Sequence, residues 1–432
     1  MIKRQEYWIE LAITLFLFVL INLFSQTFQR PISLNNGHGW DGALLLKVVE
    51  QLGNHGLPSA EAPFVYRLGT PLLVSLFSKR DLLLGFKIIN TAGNMLTAVL
   101  FVFWLNLYLN DRKTRVLLVT FFLVMWHGPV RFVYYYQVYT DPWLFVMLLA
   151  GLIGIQQIQT SATVVRICLL GLVAFVGVIF RESAFMIPVA FLFCKDPIIL
   201  SRKTSSALPS FQNKPVIESI PPTFFLPLGF AILGLLTVHL IASQNNEYSY
   251  IRTAIMWAYN KPALTYLHAW FIAFGPIIVI PIYYWRGTIR FLAKNQFILV
   301  YLLQFAVLAW IGGTDTERIL FWGVPIVYLL VGKSIEDNAV LAKLIPFGLT
   351  ILIVGQLISE RVLWTIPDYP NEFSTPFPIL TILSNNFQYL DLYSFHGSRA
   401  IHAISFIEYI LLGVLIVWWL NDCEKELDPN RQ

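Results

Sequence analysis

An all-α, polytopic membrane protein is the fold class that this sequence predicts, and three observations predict it. Of 432 residues, 57% are hydrophobic and only 13% are charged, against roughly 25% charged in an ordinary soluble domain. Apolar runs of about 15 to 25 residues recur from end to end, long enough as helices to cross a hydrocarbon core of roughly 30 Å. The polar stretches between them, near residues 27–62, 195–222 and 360–403, are each too short for an independent core. The chain therefore reads as one membrane domain over 1–432, multi-pass and integral to the cell (inner) membrane.

The N-terminal "MIKRQEYWIELAITLFLFVLINLF" has an apolar part of about 20 residues. No small-residue cleavage pattern follows it, so it is expected to be a first span and not a signal peptide. The spans expected are 6–26, 82–107, 116–130, 142–158, 164–180, 183–195, 223–243, 263–285, 297–311, 318–332, 343–359 and 404–420, about twelve transmembrane helices in a range of roughly ten to thirteen. Residues 27–81 form a first outer loop. In it Leu44, Leu45, Val48, Val49 and Leu52 repeat at helical spacing, which predicts an amphipathic helix. The segment "PFVYRLGTPLLVSLFSKR" (63–80) reads as re-entrant or outer-leaflet, because Pro71 interrupts an apolar run too short to span. Residues 360–403, with "WTIPDYPNEFSTPFP", form a second long outer loop near the C-terminus, expected to cover a site or bind an acceptor.

Lys and Arg orient the chain. Placing both termini in the cytoplasm puts "DRKTR" (111–115), "RGTIRFLAK" (286–294), Lys333 and Lys343 inside. Cys168, Cys194 and Cys423 have neither metal-ligand spacing nor an external pairing, so no disulfide, metal or cofactor is expected.

With that orientation the clusters that interrupt the apolar runs all fall outside: "HGWDG" (38–42), "YRLGTP" (66–71), "RFVYYYQVYTDPW" (131–143), "FRES" (180–183) and "GGTDTER" (312–318). Each alone reads as a solvated helix end; five mixed-sign clusters on one face read as the wall of a shared pocket. Asp41 stands where it either caps the amphipathic helix or serves as a general base toward an acceptor hydroxyl. His38, between glycines, is the lesser base. Arg67 offers a planar donor fork suited to phosphate. Asp141 precedes Pro142 and so suits an N-cap. Tyr134, Tyr135, Tyr136 and Tyr139 suit an interfacial belt or a stack on sugar rings. Lys87, Asn90 and Asn94 share one helical face and read as a phosphate or sugar-hydroxyl site. Arg181 and Glu182 are neighbours expected to face different partners, while Asp315 and Arg318 are three apart and able to pair, leaving Glu317 to point elsewhere.

The first-loop "WDG", the following "PFVYRLGTPLL", the "TDP", the "RE" and the late "GTDTERI" together resemble bacterial membrane proteins related to the GT-C glycosyltransferase superfamily. The resemblance covers most of the chain as architecture. It implies an enzyme of the glycosyltransferase class that takes sugar from a polyprenyl-phosphate donor on the non-cytoplasmic face, with a glycan, lipid or protein as acceptor. The acidic catalytic residue of that superfamily's first outer loop corresponds here to Asp41, while the usual paired acid is missing. Phosphate contacts would come from some of Arg67, Lys87, Arg181 and Arg318. Two other classes remain open: a transporter or flippase of lipid-linked saccharide, for which an internal repeat is lacking, and a polysaccharide polymerase or ligase. A catalytically inactive relative acting as an assembly partner is a third.

Overall fold

The structure is a computed structural model and describes residues 2–77, 80–125, 128–194, 222–340, 346–362, 365–366 and 399–427. Helices dominate it. In chain order they are α1 (Ile2–Phe28), α2 (Gly42–Gly53), α3 (Gly69–Phe77), α4 (Leu82–Asn106), α5 (Arg112–Val124), α6 (Pro129–Tyr135), α7 (Asp141–Thr160), α8 (Val164–Phe180) and α9 (Met186–Phe191). The second half adds α10 (Leu226–Ile241), α11 (Tyr250–Asn260), α12 (Ala263–Phe274), α13 (Val279–Tyr283), α14 (Trp285–Lys294), α15 (Gln296–Ile311), α16 (Thr316–Leu320), α17 (Val324–Asp337), α18 (Pro346–Ser359) and α19 (Arg399–Leu427).

Among the described residues, six helical stretches are long and apolar enough to cross a membrane: Tyr7–Phe28, Leu82–Asn106, Arg112–Tyr135, Asp141–Thr160, Pro222–Ile241 and Thr316–Asp337. Two bent pairs raise the number to eight if each counts as one span. The apolar run 263–285, expected to be continuous, is one of them: α12 ends at Phe274 and the chain turns through 103° into Pro276–Tyr283. Gly275 makes the corner at φ +69°, a conformation that costs a side chain but not glycine. Buried Gln356 of α18 satisfies the broken backbone there, donating to Phe274 O at 2.9 Å and accepting from Ile277 N at 3.3 Å. The second pair bends by 110° between α14 and α15. The expected span 183–195 is a 3-10 turn, Glu182–Phe185, followed by the six residues of α9.

One apolar core runs through the bundle, with α7 packed between α4 and α8 and α8 along α10. Trp104 of α4 is fully buried in it and donates to Pro325 O of α17 at 2.8 Å. Among the described residues, the 27–81 segment holds two short α-helices. Helix α2 buries Leu45, Leu46, Val48 and Val49, and α3 spans nine residues, a length of about 13.5 Å that stays well short of a hydrocarbon core. Between them β1 (Ser59–Ala60) pairs in parallel with β2 (Ser243–Gln244), which tethers the entry to α11 beneath the first loop. Asn246 reinforces the tether by exchanging two hydrogen bonds with the Ala62 backbone.

Charged groups sit at two levels. Near the end of α4, Asn106 donates to Glu10 at 3.0 Å, and Glu10 pairs with Arg115 of α5. At the other level Asn90, sixteen positions earlier and so about 24 Å away along the helix, donates to the backbone of Gln137 and Tyr139. The second level carries the site.

Candidate functional site

The centre of the site is Asp141, fully buried and the first residue of α7. Thr140, not Asp141, occupies the N-cap position, so the capping role expected for this carboxylate is corrected. Its oxygens instead take guanidiniums from two distant segments, Arg181 just past the end of α8 and Arg318 of α16. Arg181 binds Oδ1, and Arg318 reaches Oδ2 through Nε at 2.8 Å and Oδ1 through Nη2 at 3.4 Å. Arg318 also holds Asp315 at 3.3 Å, the pairing expected for residues three apart. A carboxylate this deep is stable only because it is paired; one guanidinium left alone there would be an uncompensated buried charge.

Arg181 and Glu182 part company for a backbone reason. Helix α8 ends at Phe180, and Arg181 is extended at φ −165°, ψ 138°, a geometry that sends successive side chains to opposite sides. Arg181 turns to Asp141, while Glu182 turns to Arg67 at 3.1 Å. Each guanidinium also lies over an aromatic face: Arg67 over Phe64 at 5.0 Å, Arg181 over Trp322 at 4.7 Å, Arg318 over Tyr139 at 4.5 Å. Burial works against the Arg67 charge, but Glu182, with a smaller part from Asp41, outweighs it, so this guanidinium holds its proton more firmly than usual.

Asp41 precedes α2 yet caps nothing with its side chain. Its Oδ1 accepts the Tyr136 hydroxyl at 2.5 Å. The approach depends on Gly39, at φ +70°, where a Cβ would run into the Tyr136 ring. Tyr134, Tyr135, Tyr136 and Tyr139 are all buried, so neither the exposed belt nor the open sugar-stacking surface expected of them is present; they pack under the site. Asn90 and Asn94 are likewise reassigned. Asn94 donates to Pro129 O at 2.8 Å, and together with Asn90 it clamps residues 129–139, the segment that carries these tyrosines.

Six of the charged groups open onto one cavity of about 1260 Å³, while Asp141 is fully buried and does not line it. Asp41, Arg67, Arg181, Glu182, Asp315 and Arg318 line its polar wall. The rest is mainly apolar: Met186, Val189 and Phe193 from the α9 region, Val300, Leu303, Val307 and Leu308 from α15, with Tyr250 and Ala254 of α11. Phe193, Leu303 and Val307 are each about half exposed, so the apolar wall continues onto the outside of the bundle. Among the described residues, no three or more His, Cys, Asp or Glu converge as metal ligands.

Three expected members stand apart. His38 lies in the turn before α2 and Lys87 places its ammonium over the Tyr134 ring at 5.0 Å; neither lines the cavity. Glu317 is fully buried behind it, on the side of Lys261. Of the loop 360–403, residues 363–364 and 367–398 lie outside the described residues. Lys261 was not foreseen. It follows α11 directly, before Pro262, and its ammonium donates to Ala309 O at 2.5 Å and Thr316 Oγ1 at 2.8 Å. Burial pushes this amine down to about 8, with Glu317 and Asp315 opposing. It pins the loop that presents Asp315 and Arg318, and its only sequence signal was a basic residue at a helix end before proline.

Compared with protein-family models and with curated proteins, the chain matches none.

Proposed function

We propose that this chain is a membrane glycosyltransferase, moving a sugar from a polyprenyl-phosphate donor to an acceptor hydroxyl on the non-cytoplasmic face. One observation carries the reading: a single cavity joins three guanidiniums and three carboxylates to a long apolar wall that reaches the outside of the bundle. An amphiphile with a phosphate between a sugar and a hydrocarbon chain has that order of chemistry. Arginine forks suit the phosphate, and the exposed Leu303 and Val307 side of α15 suits the lipid.

In this mechanism the donor enters sideways from the bilayer, and Arg67, Arg181 and Arg318 stabilise the charge that gathers on the departing lipid phosphate. Asp41 takes the proton of the acceptor hydroxyl as its oxygen attacks the anomeric carbon. The carbon–oxygen bond to phosphate breaks on the opposite side, and the configuration inverts. Tyr136 fixes the orientation of the base. The topology of this reading has about twelve spans, with shorter helices such as α8 completing the long ones, and both termini in the cytoplasm. A cysteine placed at Thr314 then reacts with impermeant reagents only from outside.

Purified protein incubated with a panel of polyprenyl-phosphate sugars is expected to release polyprenyl phosphate and a glycosylated acceptor. A second reading, a flippase of lipid-linked saccharide, is favoured by the two bent helix pairs, since broken helices frame substrate paths in transporters. Reconstituted vesicles that translocate the donor without cleaving it would select that reading and remove the first.

A further inference from the structure

The charge count of the cavity wall raises a question that the phosphate reading leaves open. Three guanidiniums, Arg67, Arg181 and Arg318, are already paired with three carboxylates, Asp141, Glu182 and Asp315, and Asp41 adds a fourth carboxylate to the wall. A phosphate entering this set adds a negative charge beside existing ones, which is unfavourable if nothing moves. Some carboxylate must give way.

Asp141 is not the one, because it is fully buried and shared by two arginines. Asp315 is one of two partners of Arg318, with the shorter contact going to Asp141. Glu182 differs from both. Like Asp315 it lines the cavity, but it holds Arg67 through Oε1 alone and its Oε2 has no hydrogen-bond partner, whereas both oxygens of Asp315 have one. The guanidiniums beside it are also incompletely used. Arg67 is 6% exposed and Arg181 7%, and the Nε of each is buried without a hydrogen-bond partner. Buried donors of this kind are nearly always satisfied in a resting protein. Here both belong to arginines that line the cavity.

We infer that Glu182 is a built-in stand-in for the ligand phosphate: it occupies Arg67 in the empty site and is displaced when an anionic lipid phosphate binds. The inference rests on the phosphate reading above and adds the exchange. The Glu182 carboxylate swings from Arg67 toward the exposed side of the cavity, and the phosphate takes over Arg67 together with the free Nε donors of Arg67 and Arg181. Displacing an internal counter-ion sets the affinity of the resting site and keeps Arg67 from capturing stray anions. A monoanionic phosphodiester restores the original charge balance at the arginines, whereas a dianion overshoots it.

The test uses the full chain in detergent and methyl dodecyl phosphate, a monoanionic phosphodiester with one alkyl chain, read by the fluorescence of Trp40 and Trp322, which line the cavity. Glu182→Gln is expected to bind the probe at least about tenfold more tightly than wild type, since a like charge is removed, and Arg67→Gln to bind it more weakly. In the wild type, saturating probe is expected to raise carbodiimide labelling of Glu182 several-fold, a readout that does not depend on any variant folding. If wild type binds the probe but Glu182→Gln binds no tighter and Glu182 labelling stays flat or falls, the exchange is overturned while the phosphate site stands. If neither protein binds the probe, both are overturned. Inorganic phosphate that competes as strongly as the alkyl phosphate would keep the exchange and remove the lipid as its source.

Discussion

Tyr136 donates its hydroxyl to Asp41 at 2.5 Å across 95 positions of sequence, joining the first loop to the segment that leads into α7. The contact uses one carboxylate oxygen of Asp41, a residue that lines the cavity. Tyr136→Phe removes the hydroxyl and keeps the ring. The expected result is a loss of sugar transfer of about tenfold or more, with donor affinity unchanged, because orientation of the base matters only once the acceptor reacts. Parallel measurement of donor binding and turnover checks it; a loss confined to binding contradicts the assignment.

The Gly39 position gives a steric version of the same experiment. At φ +70°, and with the Tyr136 ring against the space where a Cβ would lie, Gly39→Ala forces either the loop or the ring to shift. Activity should fall in Gly39→Ala at least as far as in Tyr136→Phe. Combining the two substitutions should cost less than the sum of their separate effects on the activation barrier, since both act on one contact. Full additivity would separate the glycine from Tyr136.

Asp141 is expected to matter for stability before it matters for anything else. Asp141→Asn leaves Arg181 and Arg318 sharing a neutral amide in a buried site, a change of the kind that costs about 3 to 5 kcal/mol. Thermal unfolding in detergent should show a large drop, and expression should fall with it. A variant as stable as wild type would mean that the two guanidiniums find water or other acceptors.

Lys261 predicts a pH dependence whose sign follows from burial. Its amine sits at about 8 in the folded chain, below the ordinary lysine value of about 10.4. Between those two values the unfolded chain holds a proton that the folded chain has released, so the group's contribution to stability rises with pH across that window. Below about pH 8 both states are protonated and the folded chain carries the full cost of the buried charge. The stability of wild type relative to Lys261→Met should therefore improve from pH 8 to 10 and stay flat below pH 7. A flat difference throughout contradicts the burial of this amine.

Much of the site's membership was legible because charge is conspicuous in an apolar chain. Asp41, Arg67, Arg181, Glu182, Asp315 and Arg318 lie in four separate clusters of the sequence and meet at one cavity. The divergence of Arg181 from Glu182 was also legible, since neighbouring side chains rarely share a partner. The uses of uncharged polar groups were not. Asn90 and Asn94 have the helical spacing of a binding face, but their partners are carbonyls more than 30 positions away, and spacing along one helix carries no information about a second segment. Lys87 shared their face and found a tyrosine ring instead. The bend at Gly275 depends on Gln356, 81 positions later, so a run that reads as one span by hydropathy breaks only in tertiary context.

The most direct measurement is the rate of transfer from polyprenyl-phosphate sugars by wild type and by Asp41→Asn, at donor concentrations that saturate both. The account predicts a fall of at least about 100-fold for the variant, the usual scale of a lost general base, with donor affinity within about twofold. Transfer by Asp41→Asn at the wild-type rate would contradict it.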